Sequence, residues 1–301
     1  MLHSSLTELA EQAPLCSSTP MLRGVLAEAQ DLVRNAVDHD EAPQDLVVWF
    51  SALVTDALHS PAIPELTGGA TLVLTGSVGR GDALPNSPIK WLAVGPADAD
   101  TQPLTDLITA VGLNTDVTPL GVGTRSKEEW KAAVATATSA ELAIFADAGT
   151  WLLDEVLRRN EHHCLLVDAI ALRPPAVQVY EGLPDRDVSV DVRRDLLYPI
   201  IAIARWAGVA AGSTALTTLD RIAAGLAAGV LNQAQADYLR EAWDAGLQLQ
   251  FRRWTDRIDN QSSTAEYLPA LQRSIYGASS RLVSEVAHSL AAEHGIALNQ
   301  S

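Results

Sequence analysis

The chain has few cysteines and no long apolar run. Its 301 residues include only Cys16 and Cys164, too far apart in sequence to suggest a disulfide framework or a zinc site. No apolar run is long enough to span a bilayer, and the N-terminus lacks the basic and apolar regions of a secretory signal. These absences predict a cytoplasmic protein without a membrane partner.

Positive charge is also scarce. The chain has 21 Lys and Arg against 37 Asp and Glu, so its net charge is −16. A general nucleic-acid-binding protein carries a basic face, so we expect no nucleic-acid partner. With 48% hydrophobic and 19% charged residues the composition is typical of a globular protein, and the abundance of alanine favours helices.

Helical and strand patterns follow one another along the first part of the chain. The spacing of apolar residues predicts helices over about 4–60 and again over 104–111, 128–137 and 151–159. Strands are predicted at 71–75, 89–94 and 141–147. Two prolines at 174–175 and a turn-like segment at 182–185 mark a boundary.

The rest of the chain has the pattern of a helical bundle. We predict helices over 192–207, with a kink at Pro199, and over 269–292. Two more begin at Thr217 and Asn232, residues that favour helix N-termini. The predicted fold is therefore α/β followed by all-α: a small mixed sheet with flanking helices, then an antiparallel helical bundle. The predicted domains are 1–180, comprising helices 1–64 and a sheet core 65–180, and 187–301.

A glycine-rich turn joins the first two predicted strands. Residues 72–82 have the sequence LVLTGSVGRGD, and residues 87–94 have the sequence SPIKWLAV. Gly76, Gly79 and Gly81 allow the backbone to turn tightly and to approach a ligand without a Cβ in the way. Successive amides in such a turn can point at phosphate oxygens.

This segment resembles the Gly-Ser signature of the polymerase-β-type nucleotidyltransferases. In that superfamily the next strand carries Asp-x-Asp, which holds two Mg²⁺ ions. When the chain is aligned on Gly76-Ser77, the two Asp positions are occupied by Pro88 and Lys90. Proline offers no ligand and lysine places a positive charge where the metal should lie. We therefore do not expect Mg²⁺ to bind in the usual way, and the sequence identifies no cofactor.

The order of elements extends the resemblance. Residues 191–201 (DVRRDLLYPII), 204–207 (ARWA) and 217–222 (TTLDRI) resemble the helical "substrate-binding" domain of nucleotidyltransferases related to the protein-PII uridylyltransferase N-terminal region. Within this segment, Arg193-Arg194 is either a phosphate contact or a solvated pair held by local acids.

The resemblance implies roles for individual residues. Gly76 and Ser77 would bind the nucleotide triphosphate, with Gly79 and Arg80 beside them, and a guanidinium suits phosphate geometry. The Lys90 ammonium would mimic the charge of a metal and hold a phosphate. These five residues are the predicted nucleotide-binding set.

Carboxylates that remain leave alternatives open. Asp82 follows the Arg-Gly pair as in many relatives, and Asp147 is the best match to the family's third carboxylate. The leading hypothesis is a degenerate nucleotidyltransferase, a pseudoenzyme of signal transduction, which binds a nucleotide or a protein partner in a cleft between its domains. An active enzyme that transfers a nucleotide to a protein would instead use Asp82, Asp116 or Asp147. A purely structural, partner-binding protein would be favoured if Lys90 paired with a nearby acid. A homodimer is compatible with each of these.

Overall fold

The chain divides into two compact units, Met1–Arg159 and Asn160–Ser301. The computed structural model describes residues 2–116, 120, 123–176, 179–180, 183–258 and 263–298. The first unit ends before the predicted domain boundary near 180. The reason is that the next helix, His163–Ala171, packs on helices of the second unit. Compact units defined by contacts need not be folding domains, so the predicted boundaries at 180 and 187 stay a prediction.

Helices open the first unit, as the sequence predicts for residues 4–60. They are α1 (Ser4–Gln12), a 3₁₀ turn (Ala13–Leu15), α2 (Thr19–Asp38), α3 (Pro43–Ala57) and the short α4 (Ile63–Leu66). Proline lies in the first turn of α2, α3 and α4, where its missing N–H costs nothing. α3 packs on both α1 and α2 and buries its apolar face between them.

A small sheet carries the glycine-rich turn. Strands β1 (Thr71–Thr75) and β2 (Lys90–Val94) pair antiparallel, with Thr75 opposite Lys90. On the other side of β2, single parallel bridges join Ile89 to Thr115 and Val94 to Arg125. The pairing is thus mixed, and the predicted fold class is confirmed. The predicted loop after β1 begins instead as a five-residue helix, α5 (Gly76–Arg80).

The remaining elements of the first unit are helical. They are α6 (Gln102–Ala110), α7 (Lys127–Thr136), α8 (Ser139–Ala146) and α9 (Trp151–Arg159). The strand predicted at 141–147 is wrong, because α8 occupies that segment. A reciprocal capping box between Thr138 and Glu141 starts the helix, and the apolar run that suggested a strand buries Leu142 and Phe145 on one side.

Helices also dominate the second unit. They are α10 (His163–Ala171), α11 (Tyr198–Ala210), α12 (Thr218–Ala227), α13 (Gln233–Thr255) and α14 (Ala270–Glu293). Two-residue strands pair β3 (Val179–Tyr180) with β4 (Leu183–Pro184), and β5 (Ser189–Val190) with β6 (Ser263–Thr264). The predicted caps are confirmed: Thr217 accepts from the Asp220 amide, and Asn232 forms a capping box. Gly182 of the predicted boundary turn lies outside the described residues.

The helix predicted over 192–207 has a change of winding ahead of Pro199. Residues Arg193–Leu197 form a π-helical turn, and α11 starts at Tyr198. Proline has no N–H to donate, and its ring collides with the carbonyl four residues earlier in a regular α-helix. The wider turn accommodates the ring, and helical winding continues through Pro199 over 192–210. The predicted helix is thus confirmed, and the kink at Pro199 stays a prediction.

None of the helices in the described part of the chain combines the length and the apolar character needed to cross a membrane.

Candidate functional site

The Gly-Ser turn joins β1 directly to α5. Gly76 has φ +64° and Gly81 has φ +85°, values of the left-handed region that favour glycine. A Cβ on Gly76 would lie 3.3 Å from Cδ of Lys90, so the lysine side chain packs against the turn. The Ser77 carbonyl accepts from the Asp82 amide at 2.9 Å, which closes the turn behind α5.

A buried charge cluster lies behind the turn. Nη1 of Arg80 is 2.5 Å from Oδ2 of Asp147, and Nε of Arg80 is 3.4 Å from Oδ2 of Asp82. Arg80 is 6% exposed, Asp82 4% and Asp147 2%. Burial alone would lower the pKa of Arg80, but the charges of Asp147 and Asp82 and their hydrogen bonds raise it above its ordinary value. The guanidinium therefore stays charged and is the shared counter-ion of the two carboxylates.

Backbone contacts fix the geometry of this cluster. The Thr75 hydroxyl donates to the Ile144 carbonyl at 2.5 Å, which joins the end of β1 to α8. A Cβ on Gly79 would lie 2.4 Å from the Asp147 carbonyl oxygen and 2.6 Å from that of Leu74. The backbone of α5 thus lies directly on the end of α8, and only glycine fits at position 79.

Lys90 forms an ion pair beside the turn. Its Nζ is 2.8 Å from Oδ2 of Asp116, and the two side chains are 28% and 35% exposed. The chain bearing Asp116 runs beside β2, since the Asp116 amide donates to the Ile89 carbonyl. A cavity of about 10 Å³ adjoins Thr75, Lys90 and Asp116, which is room for about one water molecule.

The two positions that align with the Asp pair of the resembled superfamily share one side of the chain. Pro88 and Lys90 are half-buried, whereas Ile89 between them is buried. This alternation is that of neighbouring residues on an extended strand. A proline ring and an ammonium group therefore occupy the face that would present two carboxylates.

The structure thus brings the predicted site residues into two groups. Gly76 adjoins Lys90 with its partner Asp116, whereas Gly79 and Arg80 adjoin Asp147. Arg80 also contacts Asp82, and the Ser77 carbonyl accepts from the Asp82 amide. Sequence reasoning missed the role of Arg80 as the counter-ion of both carboxylates. The Arg80-x-Asp82 spacing is a local signal for half of this cluster, whereas Asp147 lies 67 positions from Arg80 and gives no local signal.

A second polar cluster surrounds the π-helical turn in the other unit. Arg194 donates to Asp195 through Nε at 2.8 Å, in keeping with the expectation that local acids hold this arginine. Asp195 is buried and also accepts from the Tyr276 hydroxyl at 3.3 Å. The pKa of Tyr276 is raised, mainly by burial and then by the charge of Asp195. This cluster ties α14 to the π-helical turn.

Side chains that could share a metal ion do not converge in the described residues: His, Cys, Asp and Glu form no group of three or more with suitable geometry there. The adjacent His162 and His163 precede or begin α10. The pKa of His162 is lowered, mainly by burial and to a smaller extent by the neighbouring charges of His163 and His294.

Comparison with known protein families finds a match for part of the second unit. Residues 164–272, which lie within the second compact unit, match the family model described as "Putative nucleotidyltransferase substrate binding domain". No curated protein matches the chain. The specific relation to the protein-PII uridylyltransferase stays a prediction. The match supports a relation of this chain to the nucleotidyltransferases, through a helical unit similar to their substrate-binding domain.

Proposed function

We propose that the protein is a nucleotidyltransferase-like protein that does not transfer nucleotides and acts by binding a protein partner. The observation that carries this proposal is the ion pair of Lys90 with Asp116, 2.8 Å apart, beside the Gly76-Ser77 turn. Metal-assisted transfer requires anionic oxygens that fix Mg²⁺ against a triphosphate. An ammonium group at this position opposes a divalent cation and has its own carboxylate.

The remaining carboxylates do not offer a ready replacement. Asp82 and Asp147 are buried and both contact Arg80. Freeing them for a metal would require the guanidinium to leave a buried position between two negative charges, which is strongly unfavourable. Asp116 is the more exposed acid, but it pairs with Lys90. This arrangement argues against an active enzyme that uses these three residues.

Charge favours a protein over a nucleotide as the ligand. Both cations near the turn, Arg80 and Lys90, are paired with carboxylates. The first unit contains 21 Asp and Glu against 9 Lys and Arg, a net charge of −12. Such a field repels a triphosphate and attracts a basic protein surface.

A transfer assay tests the proposal. We expect no Mg²⁺- or Mn²⁺-dependent turnover of α-labelled ATP, UTP, GTP or CTP, and no label on any protein of a cell extract, because no carboxylate pair is free to hold the metal. Label transfer that requires Mg²⁺ and disappears in Asp116→Asn would contradict the proposal. Asp116 is suited to this purpose because it is partly exposed and its loss should not unfold the chain.

A nucleotide bound without metal is the second candidate, favoured by the exposure of Lys90 and its packing against Gly76. This candidate predicts that isothermal titration detects binding equally well with Mg²⁺ and with a chelator. It also predicts that Lys90→Met abolishes binding, whereas Lys131→Met, which removes the same charge on α7, does not. Absence of heat with all four nucleotides would leave the protein-binding proposal alone.

A further inference from the structure

A cavity lies at the open end of the α1–α2 hairpin. Its volume is about 510 Å³, within the range of about 300–1,000 Å³ that is usual for ligand pockets. Three of its lining residues, Leu6, Leu32 and Ala36, are apolar, and the other five, among them Asn35, His39 and Glu41, are polar. The cavity is therefore large enough to receive apolar side chains of a partner.

A stripe of side chains leads along α2 to the cavity, which lies at the last turns of this helix. Helical periodicity places Met21, Glu28, Leu32, Asn35 and His39 on one stripe of this helix. Three of these, Leu32, Asn35 and His39, line the cavity together with Leu6 of α1. The stripe spans about 27 Å, at 1.5 Å per residue. We call this surface, defined by Leu6 and the five stripe residues, the α1–α2 groove.

Apolar side chains are exposed at the far end of the groove. Met21 is 48% exposed, and Leu15, in the 3₁₀ turn that connects the two helices, is 68% exposed. Single exposed apolar residues are common on protein surfaces. Here they share a hairpin with an apolar-floored cavity, so the groove offers apolar contacts at both ends.

The charge around the groove restricts the occupant. Residues 2–70 contain ten Asp and Glu and two Arg, a net charge of −8, and Glu28 on the stripe is exposed. A second copy of the chain in a symmetric dimer would place this acidic surface against itself. Nucleic acid and anionic lipid carry the same sign of charge and are repelled. A basic protein segment is the occupant that the charge attracts.

We propose that the α1–α2 groove binds a Lys- and Arg-rich amphipathic helix of a partner protein, whose apolar side chains enter the cavity and contact Met21. This inference deepens the proposed protein-binding function by naming a surface and a partner chemistry. Helix-in-groove recognition uses apolar anchors at helical spacing, and 27 Å corresponds to about five turns of a partner helix. The Gly76-Ser77 turn takes no part in it.

A model peptide tests the groove. The probe is a fluorescein-labelled, 18-residue amphipathic helix of Leu and Lys, titrated with the full chain and followed by anisotropy. The matched peptide with Glu in place of Lys has the same apolar face and the opposite charge. We expect the Lys peptide to bind with a salt-dependent affinity and the Glu peptide not to bind. Equal binding of both peptides, or binding of neither, would overturn the proposal.

Matched charge reversals separate the groove from the general acidity of the chain. Glu28→Lys changes the groove, and Glu128→Lys makes the same change in the first turn of α7. We expect Glu28→Lys to weaken binding about tenfold and Glu128→Lys about twofold or less at 0.15 M salt. At this salt concentration, charges more than about 8 Å apart are largely screened from each other. Equal losses in the two variants would refute a groove-specific contact.

Cross-linking gives a readout on the unaltered chain. A benzophenone-bearing version of the Lys peptide should label residues of α1 and α2, and mapping the labels elsewhere would sink the inference. The transfer assay fails or succeeds independently of these measurements. Nucleotide transfer would refute the proposed function and leave peptide binding intact, whereas labelling outside the groove would refute only the surface assigned here.

Discussion

Replacing Arg80 with methionine should lower the free energy of unfolding by about 3–5 kcal/mol. The variant keeps most of the side-chain volume but leaves Asp82 and Asp147 buried without their guanidinium. An uncompensated buried charge costs far more than a buried ion pair contributes. Urea denaturation measures the loss, and hydrogen exchange assigns it to the Met1–Arg159 unit.

An exposed arginine supplies the control. Arg158 is paired with Glu155 on α9, but its side chain is 65% exposed. Arg158→Met should therefore cost about 1 kcal/mol or less. Similar small losses in both variants would show that water reaches the Arg80 cluster and that its carboxylates are not held by the guanidinium.

A double variant adds a test of the pairing itself. Asp147→Asn removes one of the two buried charges that Arg80→Met leaves behind. The combined variant should be less destabilised than the sum of the two single changes, since the residues are in direct contact. Strict additivity would mean that the contact between Nη1 and Oδ2 contributes nothing to stability.

Sequence patterns predict the elements with strong local signals. The strand β1 (Thr71–Thr75) and the helix α9 (Trp151–Arg159) have the predicted bounds. The signal for β1 is an apolar run that ends at a glycine. The signal for α9 is a strong apolar stripe at helical spacing. The caps at Thr217 and Asn232 are equally local, because each side chain bonds an amide three residues away.

Other features depend on information that no local window contains. The run Glu141–Asp147 is apolar enough for a buried strand, so it competes with the local capping-box signal of Thr138 and Glu141, and the structure forms the helix. The sequence of α10 lacks a strong helical period, so it predicts no helix there, and the helix is stabilised by its packing on α11 and α14.

The candidate site shows the same division. The glycine-rich turn and the absence of the Asp pair can be predicted from the residues alone. The partners of the charged groups cannot, because Lys90 meets Asp116 and Arg80 meets Asp147 only after distant segments fold together. For this reason the sequence suggested phosphate binding for two cations that in the structure contact carboxylates; that binding role stays a prediction.

Replacing Gly79 with alanine should destabilise the first unit by about 3 kcal/mol. The added Cβ would lie 2.4 Å from the Asp147 carbonyl oxygen and 2.6 Å from the Leu74 carbonyl oxygen. Both atoms belong to backbone, so no side-chain rotation can relieve the overlap, and α5 must move away from the end of α8.

Gly24→Ala in α2 is the matched control, because no atom lies within 4 Å of its added Cβ. This change should stabilise the helix by about 0.5–1 kcal/mol. Urea denaturation compares the two variants. If Gly79→Ala proved as harmless as Gly24→Ala, the close approach of α5 to Asp147, and with it the buried position of Arg80 between its two carboxylates, would be wrong.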